Sequence, residues 1–95
     1  MALVRKSFTI CNSKGLHARA ATQFVKAASS FDSEITVYRG ATAANGKSVM
    51  SLLILAAPKG SVIEVEINGD DAEQAILELA TLVKGGFGEI AGESD

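Results

Sequence analysis

The chain changes period at Gly15-Leu16, and that change limits what it can fold into. Val4 to Cys11 alternates: Val4, Lys6, Phe8 and Ile10 share one face, and Arg5, Ser7, Thr9 and Cys11 the other. A period of two predicts a strand. Asn12-Ser13-Lys14-Gly15 breaks it with turn residues. From Leu16 onward, Leu16, Ala20, Ala21, Phe24, Val25 and Ala28 recur at three- and four-residue spacing. That is the buried stripe of an amphipathic helix ending near Ser29-Ser30, with Arg19, Thr22, Gln23 and Lys26 on its outer face. A one-faced strand leading directly into a one-striped helix buries both apolar faces only if the helix lies back across a sheet.

The remaining segments repeat the theme. Glu34 to Arg39 reads as a β-branched strand, Gly40 as a tight turn and Ala41 to Ala44 as a short return strand. Asn45-Gly46-Lys47 is a loop. Ser48 to Leu55 fits a buried strand or a short helix; Ser48 as N-cap and Met50, Leu52, Leu53 and Leu55 as helix formers favour the helix. Pro58-Lys59-Gly60 is a loop, and Val62 to Ile67 alternates again, with Ile63, Val65 and Ile67 opposite Glu64 and Glu66. Gly69-Asp70-Asp71 opens the last helix, where Asp70 and Glu73 have the spacing of a capping box. Ala72, Ala75, Ile76, Leu79, Leu82 and Val83 form its buried stripe, and Gly85 or Gly86 ends it. The order β-α-β-β-α-β-α predicts an α+β fold with one antiparallel sheet and the helices on one face. Gly88 to Asp95 is expected to be a frayed acidic end.

Composition excludes several functions. With 95 residues, one domain is expected. A net charge of −2 provides no broad electrostatic footprint for nucleic acid. The aromatics are only Phe8, Phe24, Phe31, Tyr38 and Phe87, too few for a base-stacking platform. The longest apolar-rich stretch, Val49 to Ala57, is too short to span a bilayer, and the start of the chain lacks a signal-peptide run. Cys11 is the single cysteine, so no internal disulfide forms, and a cytoplasmic location is expected. Cys11 itself reads as a small, partly buried residue. One His and one Cys do not make a metal cluster, and Gly46-Lys47-Ser48 matches only the last three positions of a phosphate-binding P-loop. No metal or cofactor is expected.

The chemistry that remains is at His17, the sole histidine. Histidine titrates nearest neutrality, and a neutral ring nitrogen with a free lone pair can accept a phosphoryl group. The partial positive charge of a helix N-terminus disfavours imidazolium. The unpaired backbone N–H groups there, those of Ala18 and Arg19, can hold phosphate oxygens, and the Arg19 guanidinium adds a forked charged donor. The product is a labile phosphoramidate. With no hydrolytic site elsewhere, the chemistry is that of a carrier that receives and donates rather than a stand-alone turnover enzyme. The plainer alternative for a lone His beside a turn is a surface residue or cap, and for Arg19 a solvated charge.

Gly15-Leu16-His17-Ala18-Arg19-Ala20-Ala21 resembles the active-site signature of the HPr family, the histidine-containing phosphocarrier proteins of bacterial phosphotransferase systems. The likeness continues through Gln23 to Ala27, Phe31 to Val37, Asn45 to Met50 and Gly85 to Glu89. It implies an open-faced β-sandwich, a four-stranded antiparallel sheet with three helices on one face, over residues 1–89, with a frayed tail over 90–95. It also implies that His17 is phosphorylated on Nδ1 by phosphoenolpyruvate-charged enzyme I, with Arg19 as the active-site arginine, and that a IIA-type protein receives the group. Ser48 would match a regulatory serine modified by an HPr kinase/phosphorylase in some bacteria. Val49, Met50 and Leu53 would match the docking patch of a monomeric carrier serving sugar uptake or nitrogen-related regulation; the leucine-rich Ser48 to Leu55 stretch leans toward the latter. The family usually has proline after the arginine, whereas this chain has Ala20. Alanine lifts the restraint on Arg19, restores an N–H and allows the first turn to start earlier or to be more mobile.

Two further readings compete with the carrier. A regulatory module of the same fold could act by docking alone, controlled at Ser48, but such a binder needs neither His17 nor Arg19. A small-molecule-binding α+β domain would show a pocket signature, and the sequence carries none. Ser48 also has a structural role as a helix cap.

Overall fold

The alternation in the strand sequences becomes an alternation in burial. The computed structural model describes residues 2–88; the acidic tail expected over 90–95 and Glu89 of the resemblance lie outside the described residues. Strand β1 (Ala2–Thr9), helix α1 (Ala18–Ser29), β2 (Glu34–Arg39), β3 (Thr42–Asn45), α2 (Val49–Leu55), β4 (Val62–Gly69) and α3 (Ala72–Lys84) follow in that order, with a short 3-10 turn at Gly86–Gly88. The four strands form one antiparallel sheet in the order β1-β4-β2-β3.

The register aligns the apolar residues into rows. Val4, Ile67 and Ile35 lie abreast across β1, β4 and β2; one step along, Lys6, Val65, Val37 and Ala44 cross all four strands. Ile35, Val37, Ile63, Val65 and Ile67 are buried on this face. Against them pack Ala20, Ala21, Phe24 and Ala28 of α1, Leu52 and Leu55 of α2, and Ala72, Ala75, Ile76, Leu79 and Val83 of α3. The core is thus one layer between the sheet and the helices. On the sheet's other face Arg5 bonds Glu64 at 2.7 Å and Glu66 at 3.4 Å, and its guanidinium lies 5.2 Å from the centre of the Tyr38 ring. The expected α+β, open-faced arrangement is therefore the observed one.

Several local expectations change. The first strand runs Ala2–Thr9 rather than Val4 to Cys11, because Ala2 and Leu3 pair with Gly69 and Asn68. The same pairing carries β4 past Ile67 to Gly69. The return strand is Thr42–Asn45, one residue later than expected, set by pairing Asn45 with Thr36. In α3, Ala80 is buried while Leu82 is only partly so. Cys11 is exposed, not partly buried; its thiol reaches the carbonyls of Val83 at 3.4 Å and Lys84 at 3.5 Å.

The N-cap of α3 is Asp71, not Asp70, and its side chain makes no capping bond. Its carboxylate instead accepts from Asp32 N at 2.8 Å, Ser33 N at 3.0 Å and Ser33 Oγ. These bonds, led by that of Ser33 Oγ, hold the Asp71 carboxyl below its ordinary value. They fasten the turn after α1 to the start of α3.

Candidate functional site

Helix α1 begins in a turn that three contacts define. Asn12 Nδ2 donates to Gly15 O at 2.7 Å, and Gly15 N donates to Asn12 O at 3.1 Å. Leu16 N then donates to Ala57 O at 2.8 Å, just beyond the end of α2. Gly15 has φ +67°, and a Cβ there would lie 2.3 Å from Ala57 O and 2.7 Å from Pro58 Cα. Only glycine meets both conditions. Leu16 is buried beside this contact and anchors the entry to the helix.

His17 follows as the N-cap of α1. Its backbone is extended, with φ −92° and ψ −174°, and its side chain makes no capping hydrogen bond. The ring is partly exposed. The first intrahelical bond runs from Ala21 N to His17 O at 2.8 Å, so the amides of Ala18, Arg19 and Ala20 precede the helical ladder. Arg19 is exposed and already helical. The helix starts at Ala18, ahead of Ala20. An imidazole, a guanidinium and the positive end of a twelve-residue helix therefore share one corner of the molecule.

The other sequence-derived residues lie on α2. Ser48 is its N-cap, and its Oγ accepts from Ser51 N at 3.3 Å. Val49 and Leu53 are partly buried against the core, whereas Met50 is 73% exposed. Ile54, which is not among the docking residues that the resemblance implies, is equally exposed at 73%. The signal was available: Met50 and Ile54 are four residues apart, on the face opposite Leu52 and Leu55. The bond from Leu16 joins the His17 turn to the Ala57 end of α2, so within that helix Leu53 and Ile54 are toward His17 and Ser48 is at the far end.

One other feature is remote from this corner. An open hollow of about 860 Å³ lined by Asp32, Glu34, Asp70 and Asp71 lies past the C-terminal end of α1. That is about 18 Å from its N-terminus at 1.5 Å per residue. Among the described residues no group of three or more His, Cys, Asp or Glu side chains is placed to hold a metal ion. Among the same residues no helix is long and apolar enough to cross a membrane.

Comparison with known proteins decides the family. The family model described as the PTS HPr component phosphorylation site matches residues 4–85. The chain belongs to the HPr family. Among curated members, the phosphocarrier protein HPr of Neisseria meningitidis is 46% identical over 87 residues, covering 92% of this chain and 98% of its own. The phosphocarrier protein NPr of Shewanella violacea is 42% identical over 89 residues, covering 94% and 98%. A crystal structure of HPr-C-His from Thermoanaerobacter tengcongensis superposes with a TM-score of 0.88 at 39% identity, covering 92% of this chain and 98% of that one. The HPr fold and the phosphocarrier role within the phosphotransferase system are thus those of this chain.

Proposed function

We propose that His17 accepts a phosphoryl group on Nδ1 from phosphoenolpyruvate-charged enzyme I and passes it to a histidine of a IIA-type protein. The observation that carries this reading is the position of His17: it is the N-cap of α1, and its side chain makes no capping hydrogen bond. In the step, the Nδ1 lone pair of the neutral ring attacks phosphorus while the ring proton stays on Nε2. The donor's P–N bond breaks and its electron pair returns to the donor nitrogen. The phosphoryl oxygens then meet the N–H groups of Ala18 and Arg19 and the Arg19 guanidinium. No water is needed, and delivery to the acceptor is the same displacement in the other direction.

Docking uses the exposed side of α2. Val49, Met50 and Leu53, with Ile54 added, form an apolar surface leading toward His17, and methionine adapts to more than one partner. The carrier acts as one monomeric domain in the cytoplasm, with enzyme I and IIA-type acceptors as its partners. Ser48 is the regulatory point. A kinase of the HPr kinase/phosphorylase type would place a phosphate at the start of α2, adding negative charge to the docking surface. Relatives of both the HPr and NPr names match, so the acceptor lies in sugar uptake or in nitrogen-related regulation. The alternative, a module acting by docking alone, predicts no phosphate uptake.

The test is incubation with phosphoenolpyruvate and enzyme I. The wild-type protein should gain one acid-labile, base-stable phosphate, and His17→Ala should gain none. Stable phosphate on His17→Ala would overturn the assignment. Ser48→Asp should bind enzyme I more weakly than wild type; equal affinity would remove Ser48 from the regulatory scheme.

A further inference from the structure

The His17 turn rests on the end of α2, and that end has an unusual support. Ala56, the C-cap of α2, has φ +48° and ψ +39°, a left-handed conformation that alanine adopts only under constraint. Its amide donates to Leu53 O at 3.1 Å. The carbonyls on either side of that conformation are held from another layer. Arg39, the last residue of β2, donates through Nη1 to Leu55 O at 3.0 Å and to Ala56 O at 3.2 Å. The next residue, Ala57, is buried, and its carbonyl receives Leu16 N at 2.8 Å. Gly15 fits against that same carbonyl without room for a side chain.

We propose that Arg39 is a positioning residue for His17. Its guanidinium ties the end of α2 to the sheet, fixes the left-handed turn at Ala56, and so presents the Ala57 carbonyl that seats Leu16 and aims His17. The contacts form one continuous series, from Arg39 to the Leu55 and Ala56 carbonyls, through Ala57 to Leu16, and on to the N-cap. A planar, permanently charged donor suits two successive carbonyls of a helix end. Without it those carbonyls turn to water, Ala56 relaxes, and the Ala57 carbonyl is no longer held against Leu16. In-line transfer depends steeply on placement of the nucleophile, so loosening here reduces rate rather than affinity. This role rests on the proposed phosphoacceptor function of His17.

The experiment compares wild type, Arg39→Gln and Arg39→Lys by amide hydrogen exchange and by the kinetics of phosphate uptake from phosphorylated enzyme I. Arg39→Gln should speed exchange of the Leu16 amide by about tenfold or more, the scale of losing a hydrogen bond to a charged group. The β4 amides should change less than twofold. The kcat for uptake should fall by a similar factor with KM for enzyme I unchanged, and Arg39→Lys should recover part of both. Leu16 protection that is unchanged, or lost only in step with the β4 amides, would overturn the proposal. So would a raised KM with unchanged kcat, which makes Arg39 a docking contact. Wild-type protein that takes up no phosphate would refute the function of His17 itself, while the Leu16 exchange would still report separately whether Arg39 supports the turn.

Discussion

Two helices of this protein are approached by the same pattern and begin differently. Gly15-Leu16-His17 leads into α1 and Gly46-Lys47-Ser48 into α2. In each, a backbone amide anchors the approach at 2.8 Å, Leu16 N on Ala57 O and Gly46 N on Ile35 O. Ser48 then closes its own helix, accepting from Ser51 N. His17 makes no such capping bond, and the amides of Ala18, Arg19 and Ala20 precede the helical ladder. The α2 start is finished locally, in the way serine caps ordinarily work. The α1 start has no capping bond from its own N-cap side chain, and in the proposed cycle the phosphoryl group meets its first amides. On the proposed function, the difference separates a helix terminus built for stability from one built for a transferable anion.

The largest expected effect tests the approaches. Gly15→Ala forces a positive φ on alanine and drives its Cβ into the Ala57 and Pro58 backbone. It should cost about 2–4 kcal/mol by chemical denaturation. Gly46→Ala meets the Ile35 side chain first, at 2.5 Å, without a positive φ, and should cost about 1–2 kcal/mol. Equal costs would mean that the His17 approach is no more constrained than the other.

The caps come next. Ser48→Ala should lose about 1 kcal/mol of stability, whereas His17→Ala should lose less than half of that, about 0.5 kcal/mol at most. Thermal or denaturant unfolding of the pair checks this, and the reverse order would break the contrast between a capping and a non-capping residue.

The third N-cap, Asp71, should make stability depend on pH only in acid, where its contribution is lost. Its carboxyl is held below its ordinary value by Ser33 and the Asp32 amide, so its contribution is present above about pH 4 and is lost as pH falls through the depressed folded-state value. Asp71→Asn should therefore flatten the loss of stability below about pH 4 while leaving the shape of the curve near neutrality unchanged. Unfolding curves collected across that range would reveal a slope identical to wild type if the clasp is unimportant.

The smallest effect is expected for Ala20→Pro. The Ala20 amide precedes the helical ladder, and proline is tolerated in the first turn. Phosphate uptake should stay within about twofold of wild type, since the amides of Ala18 and Arg19 are untouched. A large loss with the fold intact, seen by circular dichroism and uptake kinetics together, would show that the Arg19 conformation matters more than the donors.

Much of the fold was legible because it is periodic. The faces of β2 and β4, the stripe of α1 and the Ser48 cap of α2 follow from residue spacing alone, without knowledge of partners. What escaped is set by contacts distant in the chain. Ala2 and Leu3 join β1 because Gly69 and Asn68 receive them. Asp71 ignores its own helix because Ser33, 38 residues away, competes better for its carboxylate. Arg39 looks like a charged strand end until the fold brings its guanidinium to the last carbonyls of α2. His17 and Arg19 were legible as a pair beside a helix start, but the reason the turn is stiff, Gly15 against Ala57, was not. Ile54 was legible in principle, by helical spacing from Met50, once Leu52 and Leu55 were assigned to the core.

The most direct measurement is the amide spectrum of the protein before and after phosphorylation with phosphoenolpyruvate and enzyme I. The amide protons of Ala18 and Arg19 are expected to move downfield as they take the phosphoryl oxygens, while the Ser51 amide, already bonded to Ser48, stays in place. Phosphate carried with neither α1 amide displaced, or carried equally by His17→Ala, would contradict that expectation.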